Sequence, residues 1–418
     1  MAEEAQKSNV SLITEEVKTA GLQIKPTINN FYRLITNHYG ESLRLNEMTG
    51  KPEFKHTITH DWREWTDTEE SRMRAYFEST YAMYSQNKMT DALMIYFNNH
   101  KVNPLLNILN DLDWDGKPRV EFFLRDVMKA DDSEYTRECS RLIFAGGIHR
   151  AYQPGCKFDD MIVLIGGQGA GKSTIVRWLN IEDQFYQEIK TIAGKEGIEA
   201  IRGVWIGEVS ELMAMTRVKE AEAVKAYITS QKDSYRPPYQ KNVQTIPRRC
   251  VFIGTTNNPQ FLTDKTGNRR FYPVKCNSDG YKLLDNEKAV REYIRQAWAE
   301  AVHMYKEGSL QPFARKEVLE QIRAAQEAAM EDDWRIGAIE QYLNDMKRQP
   351  NSLVTVIELW HNALGEPSES KPARADSIAI TQIITNIPGW VRCETKINTA
   401  WGRQKAFKKV NPFFPSWR

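Results

Sequence analysis

Between Thr68 and Asn98 the apolar residues Met73, Tyr76, Phe77, Tyr81 and Tyr84 recur three and four positions apart. That spacing lines one face of an amphipathic helix, and these residues are read as helical core. A second stretch of the same kind runs from Val120 to about Tyr152. Polar turns separate the stretches. NEMTGKPEF (Asn46 to Phe54) is punctuated by Gly50 and Pro52, and DWDGKP (Asp113 to Pro118) precedes the second helical stretch. Residues 1–45 are polar and read as partly helical. The pattern therefore predicts a mainly helical N-terminal region over 1–110 and a helical lead-in over 111–158.

The pattern changes at Met161. MIVLI (Met161 to Ile165) is a short unbroken apolar run between a pair of aspartates and a pair of glycines, as expected of a strand buried on both faces of a parallel sheet. VWI (Val204 to Ile206) and CVFI (Cys250 to Ile253) repeat it, with helical sequence between them. Strands alternating with helices predict an α/β core over 159–311. Helical, strongly charged sequence runs from Glu287 to Asp332, and short helices, turns at Pro367 and Pro372 and a Gly389–Trp390 pair before further strands follow. Residues 312–418 are accordingly expected to form a small helical, winged-helix-like domain with a basic tail.

Composition narrows the function classes. Hydrophobic content of 41% and charged content of 27% are ordinary for a globular chain. With a net charge of +2, any basic surface has to be local. No run approaches a membrane span, and MAEEAQKSNV lacks the apolar stretch of a secretory signal. The five cysteines are scattered without a CxxC pair and the seven histidines show no ligand spacing. This suits free thiols in a reducing cytoplasm, no zinc site, no membrane partner, and a metal only where a nucleotide brings one.

The chemistry concentrates downstream of MIVLI. Gly166, Gly167, Gln168, Gly169, Ala170, Gly171, Lys172, Ser173 and Thr174 spell GxxxxGKST after a buried strand and before helical sequence. Glycines at these positions let successive backbone N–H groups face phosphate oxygens, and a helix N-terminus adds positive charge. Lys172 would reach the β- and γ-phosphates of ATP, and Ser173 would offer its hydroxyl to Mg²⁺. ATP hydrolysis also needs a carboxylate at the end of a neighbouring strand. WIGEVSE offers Glu208 and Glu211, which otherwise read as solvated acids starting a helix. The usual Asp-Glu pair is absent, since Gly207 precedes Glu208, and which of the two carboxylates polarises water stays open. GTTNNP places Asn257 at a strand tip, where an amide can bond the attacking water or the γ-phosphate. A plain Asn-Pro turn is the alternative. Arg269 and Arg270 read either as surface charge or as arginine fingers.

The order of P-loop, Glu-x-x-Glu, Thr-Thr-Asn and Arg-Arg resembles superfamily 3 helicases. It is more closely similar to the virulence-associated protein E family of phages and mobile islands. WDGKPRVEFFL (Trp114 to Leu124), PGCKFDDMIVLIGGQGAGKST, KAYITSQKDSYRPPY (Lys225 to Tyr239) and VFIGTTNNPQFLTDKTGNRRFYPV (Val251 to Val274) carry the resemblance, which covers about Leu105 to Gln311. It implies an AAA+-like ATPase assembling as a homo-oligomeric ring, commonly a hexamer, in the host cytoplasm. Its role would lie in mobile-element DNA replication, alongside a primase or an initiation protein. It further implies Lys172 and Ser173 as the Walker A site with Ser173 and Glu208 toward the metal, Glu208 and Glu211 as the acidic motif, Asn257 as sensor, and Arg269 and Arg270 as fingers acting in a neighbour. Residues 1–110 contain no recognisable primase site.

In superfamily 3 motors, which the chain resembles, the interval Asp233 to Arg249 carries a channel hairpin. Arg236, Lys241, Arg248 and Arg249 supply charge among Tyr235 and Tyr239, suited to phosphates and base faces. Lys241 is expected at the hairpin tip, and a solvated loop is the alternative. The segment from Trp390 to Arg418 carries seven Lys or Arg against Glu394 alone. It is expected either to hold nucleic acid or to dock on its own domain. The resulting reading is a translocase on single-stranded or forked DNA. The alternative is an ATP-dependent nucleic-acid-binding switch or scaffold without processive unwinding.

Overall fold

Helix α1 (Ile28–Tyr39) opens the part of the chain that this computed structural model describes, its N-terminus capped by the Thr27 hydroxyl. The described residues are 24–192, 194–210, 218–235, 244–262, 268–277, 286–330, 334–345, 353–399 and 401–410. Strands β1 (Leu43–Asn46), β2 (Lys51–Lys55) and β3 (Trp62–Glu64) follow, then α2 (Asp67–Tyr81), α3 (Gln86–Asn99) and β4 (Lys101–Val102). Thr66 and Glu69 form a capping box at the start of α2. The strands make one sheet in the order β3-β2-β1-β4, which the mainly helical expectation for this region did not include. Phe31, Ile35, Met73, Phe77, Met89, Leu93 and Tyr96 form its core. Met73 and Phe77 thus lie where the periodicity put them, whereas Tyr76 and Tyr84 stay exposed.

The lead-in forms α4 (Pro104–Asn110), α5 (Phe123–Met128) and α6 (Glu134–Tyr152). Next come β5 (Met161–Ile165), α7 (Lys172–Leu179), β6 (Tyr186–Glu188), α8 (Gly194–Ala200), β7 (Ile206–Val209) and α9 (Val218–Thr229). After them come β8 (Lys232–Tyr235), β9 (Gln244–Pro247), β10 (Val251–Thr256), β11 (Phe271–Lys275), α10 (Glu287–Lys306) and α11 (Leu319–Ala328). Five strands form a fully parallel sheet in the order β11-β5-β10-β7-β6. The pleat of β5 divides its side chains between two cores. Ile162 and Leu164 meet Trp178, Trp205 and Trp298 on one face, and Met161, Val163 and Ile165 meet Tyr227, Phe252 and Phe271 on the other. Trp205 and Trp298 lie 4.3 Å apart between ring centres. Both buried indole N–H groups are satisfied, donating at 2.9 Å to the carbonyls of Gly147 and Leu179.

The chain divides into two units, Met1–Met330 and Glu331–Arg418. This boundary falls later than the sequence suggested, because α11 belongs to the first unit: Gln326 donates to the Phe271 carbonyl at 2.9 Å and Leu262 N–H to that of Ala329 at 3.0 Å. The second unit contains α12 (Trp334–Asp345), β12 (Leu353–Thr355), α13 (Arg374–Asn386), β13 (Trp390–Thr399) and β14 (Gly402–Lys409). Its strands form an antiparallel sheet in the order β12-β14-β13, closed over Ile339, Leu359, Ile380, Ile384, Trp390 and Phe407. Among the described residues no helix is long and apolar enough to cross a membrane.

Candidate nucleotide-binding site

β5 ends at Ile165 and α7 begins at Lys172, so the glycine segment bridges a buried strand and a helix N-terminus. Two positions explain why glycine is required. Gly171 sits at φ +77°, in the left-handed region. A Cβ on Gly166 would lie 3.0 Å from the Cys276 carbonyl oxygen, with no room to relax against backbone. The loop borders a cleft of about 670 Å³ lined by Gln168 through Thr174 and by residues at the ends of β6, β7 and β10. That volume suits a nucleotide-sized ligand.

Lys172 is 8% exposed. Its ammonium donates to the carbonyls of Gly166 and Gly167 at 2.7 and 2.9 Å and to Asn257 Oδ1 at 2.9 Å. Burial lowers the Lys172 pKa, against the pull of Cys276 and Glu208. Ser173 Oγ donates to Glu208 Oε1 at 2.6 Å. The same oxygen accepts from Thr255 Oγ1 at 2.6 Å, and Oε2 accepts from the Tyr186 hydroxyl at 2.5 Å. Glu208 is 1% exposed, and three hydroxyl donors satisfy a carboxylate that burial would otherwise penalise heavily. The Tyr186 hydroxyl is in turn pushed well above its ordinary pKa by burial and by the Glu208 charge.

Lys172, Ser173, Glu208 and Asn257 therefore converge, as do Gln168, Gly169, Ala170, Gly171 and Thr174 around the cleft, with Gly166 and Gly167 supplying the carbonyls behind Lys172. Thr255, Tyr186 and Glu188 join them without having been singled out from sequence. Thr255 lies two residues past the apolar run CVFI, among small polar residues, and Tyr186–Glu188 is an edge strand too short and polar to register as one. Glu211, Arg236 and Lys241 lie outside the described residues.

β8 and β9 form an antiparallel hairpin, with Tyr235 opposite Gln244 and Lys232 opposite Pro247. Arg248 does not project from it. The residue is 3% exposed, its Nε donates to Asp233 Oδ2 at 2.9 Å, and its other nitrogens reach Asp233 and the Tyr227 carbonyl. Arg248 is therefore a core ion pair closing the hairpin base, and the expected nucleic-acid contact is corrected. Arg249 is partly buried, 3.7 Å from Glu47 on the β1–β2 turn. One group of exposed cations lies on the β13–β14 hairpin of the second unit. Lys396 stands opposite Lys405 and Asn398 opposite Arg403, and Arg392 and Lys408 are also exposed.

Arg269 and Arg270 occupy the turn Asn268–Arg270, immediately before β11. Because β11 runs parallel to β5, with Phe271 beside Met161 and Lys275 beside Ile165, the arginines sit at the opposite sheet edge from the glycine loop. About 13 Å of strand separates the two edges. Arg269 is exposed and Arg270 half-buried.

A family model described as the virulence-associated protein E-like domain matches residues 109–331. No curated protein matches the sequence. Among solved structures, "The A form apo structure of NrS-1 C terminal region-CTR" is similar at 12% identity over 92% of this chain and 100% of that chain, with a TM-score of 0.50. "The apo structure of NrS-1 C terminal region (305-718)" is similar at 14% identity over 91% and 98%, with a TM-score of 0.48. At these identities the likeness is one of fold.

Proposed function

The chain belongs to the virulence-associated protein E-like family, matched over residues 109–331, and from that premise we propose that it is an ATP-hydrolysing motor of the superfamily 3 type. Its substrate would be single-stranded or forked DNA in phage or mobile-element replication. The first unit would be an AAA+-like P-loop core, the second a winged-helix-like module, and the working form a homo-oligomeric ring.

The observation that carries the reading is the arrangement around Lys172. Its ammonium is tied to two loop carbonyls and to Asn257, beside a serine hydroxyl hydrogen-bonded to a buried carboxylate. Phosphate oxygens of ATP would take over the lysine from the carbonyls, and the amides of the loop and of the α7 N-terminus would face the remaining oxygens. The Ser173 hydroxyl and the Glu208 carboxylate are hard oxygen donors, the kind Mg²⁺ selects. When bound, Mg²⁺ supplies neutralisation of charge on the β- and γ-phosphates. Thr255 and Tyr186 keep two hydrogen bonds on Glu208 when Ser173 is drawn away, so the carboxylate stays oriented. Asn257 offers an uncharged amide toward the γ-position.

The placement of Arg269 and Arg270 at the far sheet edge supports a site completed by the neighbouring subunit. The β13–β14 cations favour a phosphate backbone because Lys396 and Lys405 repel each other when unpaired.

The test is ATP turnover by the full chain, with and without single-stranded DNA. Turnover should rise with DNA and vanish in Lys172→Ala. Mixing Lys172→Ala with Arg269→Ala subunits should restore part of it. Turnover surviving in Lys172→Ala would refute the site, and absence of recovery in the mixture would refute the shared cleft. ATP hydrolysis indifferent to DNA would favour a switch over a motor.

A further inference from the structure

The cleft contains a second carboxylate that no motif announces. β6 ends at Glu188, and its parallel register on β7 sets Glu188 directly beside Glu208. Residues paired this way project to the same face of a sheet. Their surroundings differ. Glu208 is sealed, with hydroxyl donors from Ser173, Thr255 and Tyr186 on its two oxygens. Glu188 lines the same cleft as the glycine loop. Its Oε1 accepts from Ser210 Oγ at 2.6 Å. Its Oε2 is 3.7 Å from Lys190 Nζ, the two side chains being 40% and 79% exposed, and such a pair is weak in water. A water molecule in the cleft can bond to Glu188 without breaking a buried hydrogen bond. At Glu208 it would have to displace a hydroxyl.

We propose that Glu188 is a catalytic residue: the carboxylate that orients the attacking water, while Glu208 serves the metal shell. This rests on the ATP-hydrolysis reading above. The water oxygen forms a bond to the γ-phosphorus as the bond from that phosphorus to the β–γ bridging oxygen breaks. The bonding pair leaves with ADP. Water loses its proton to Glu188, which passes it to solvent, so ATP and water become ADP, phosphate and a proton. In a loose transition state the carboxylate acts chiefly by holding the water in line and accepting the proton late. Ser210 is a positioning residue, since it fixes one Glu188 oxygen and leaves the other to the cleft.

Glu188→Gln keeps the size of the side chain and an acceptor for Ser210 while removing the charge. Turnover of the full chain should fall about 100-fold. Affinity for the non-hydrolysable analogue AMP-PNP with Mg²⁺ should stay within about threefold of the parent, because the lost interaction is made in the transition state. Ser210→Ala should lower turnover less, again with affinity retained. Glu211→Gln is the comparison, because that carboxylate is the rival for the same task. The proposal is overturned if Glu188→Gln turns over within twofold of the parent, if Glu211→Gln abolishes turnover while Glu188→Gln spares it, or if Glu188→Gln loses AMP-PNP binding along with activity. A parent chain that binds AMP-PNP yet hydrolyses no ATP would instead remove the motor reading beneath it.

Discussion

Asp160 stands at the threshold of β5, one residue before the strand that delivers the glycine loop. Burial pushes its carboxyl pKa up to about 7, against a hydrogen bond from Tyr272, with Asp159 and Glu138 adding repulsion and Arg141 opposing them. In the unfolded chain the same group has its ordinary value of 3.8. The consequence for stability has a definite sign. Well below pH 3.8 both states hold the proton and Asp160 costs nothing. Between pH 4 and 7 the unfolded chain releases the proton while the folded one keeps it, so stability falls as pH rises and levels off above about 7. At about 1.4 kcal/mol per pH unit the full penalty approaches 4 kcal/mol, a ceiling that local solvation reduces. Asp160→Asn keeps an acceptor for Tyr272 and cannot ionise. For a unit of this size each kcal/mol moves the melting temperature by roughly 1.5 °C. The variant should therefore melt nearly together with the parent at pH 4 and up to about 6 °C above it at pH 8. Thermal unfolding of parent and variant at constant ionic strength, followed by calorimetry, measures the gap at each pH. A gap that is flat with pH, or that closes as pH rises, would refute the account of Asp160.

Arg248→Ala should lower the stability of the first unit by about 3–5 kcal/mol, because it strands the Asp233 carboxylate. Lysine at the same position should rescue little, since it cannot reproduce the two-point contact; a variant that unfolds like the parent and loses only DNA affinity would restore the nucleic-acid role. Gly147→Ala should destabilise by about 1–3 kcal/mol despite the helix preference of alanine, because its Cβ would lie 2.5 Å from Trp298 Cη2. Gly337→Ala in α12, whose Cβ meets nothing within 4 Å, should instead stabilise the second unit by about 0.5–1 kcal/mol. Denaturant unfolding of each variant decides both, and equal effects at the two glycines would refute the packing argument.

What the sequence made legible follows from how locally each feature is encoded. MIVLI and CVFI read as strands because both their faces are buried, so every residue had to be apolar. Lys172, Ser173, Glu208 and Asn257 were legible because strand ends bring them together. β1 and β2 were not, since LRLN and KPEFK carry charge and are buried mainly by pairing with each other and by helices distant in sequence. Arg248 was misjudged for the same reason. It lies 15 residues from Asp233, and only the closed β8–β9 hairpin makes that pair a core contact. Glu188 was missed because its strand sits at the sheet edge, and its position beside Glu208 exists only in the register.

The same register bears on whether one chain can suffice for the proposed reaction. A parallel sheet gathers the glycine loop, Glu208, Glu188 and Asn257 at one edge, because all four lie at or just after strand C-termini. Arg269 and Arg270 precede a strand instead, so strand direction alone sends them to the other edge, about 13 Å away along β5, beyond what a guanidinium can span to a γ-phosphate. If those arginines act in hydrolysis, the edge of one subunit has to meet the opposite edge of the next. Contacts of that head-to-tail kind close into a ring when the rotation between subunits permits. Hydrolysis would then be coupled to subunit contact by topology, and an arginine-deficient subunit should impair its neighbour's cleft while leaving its own intact.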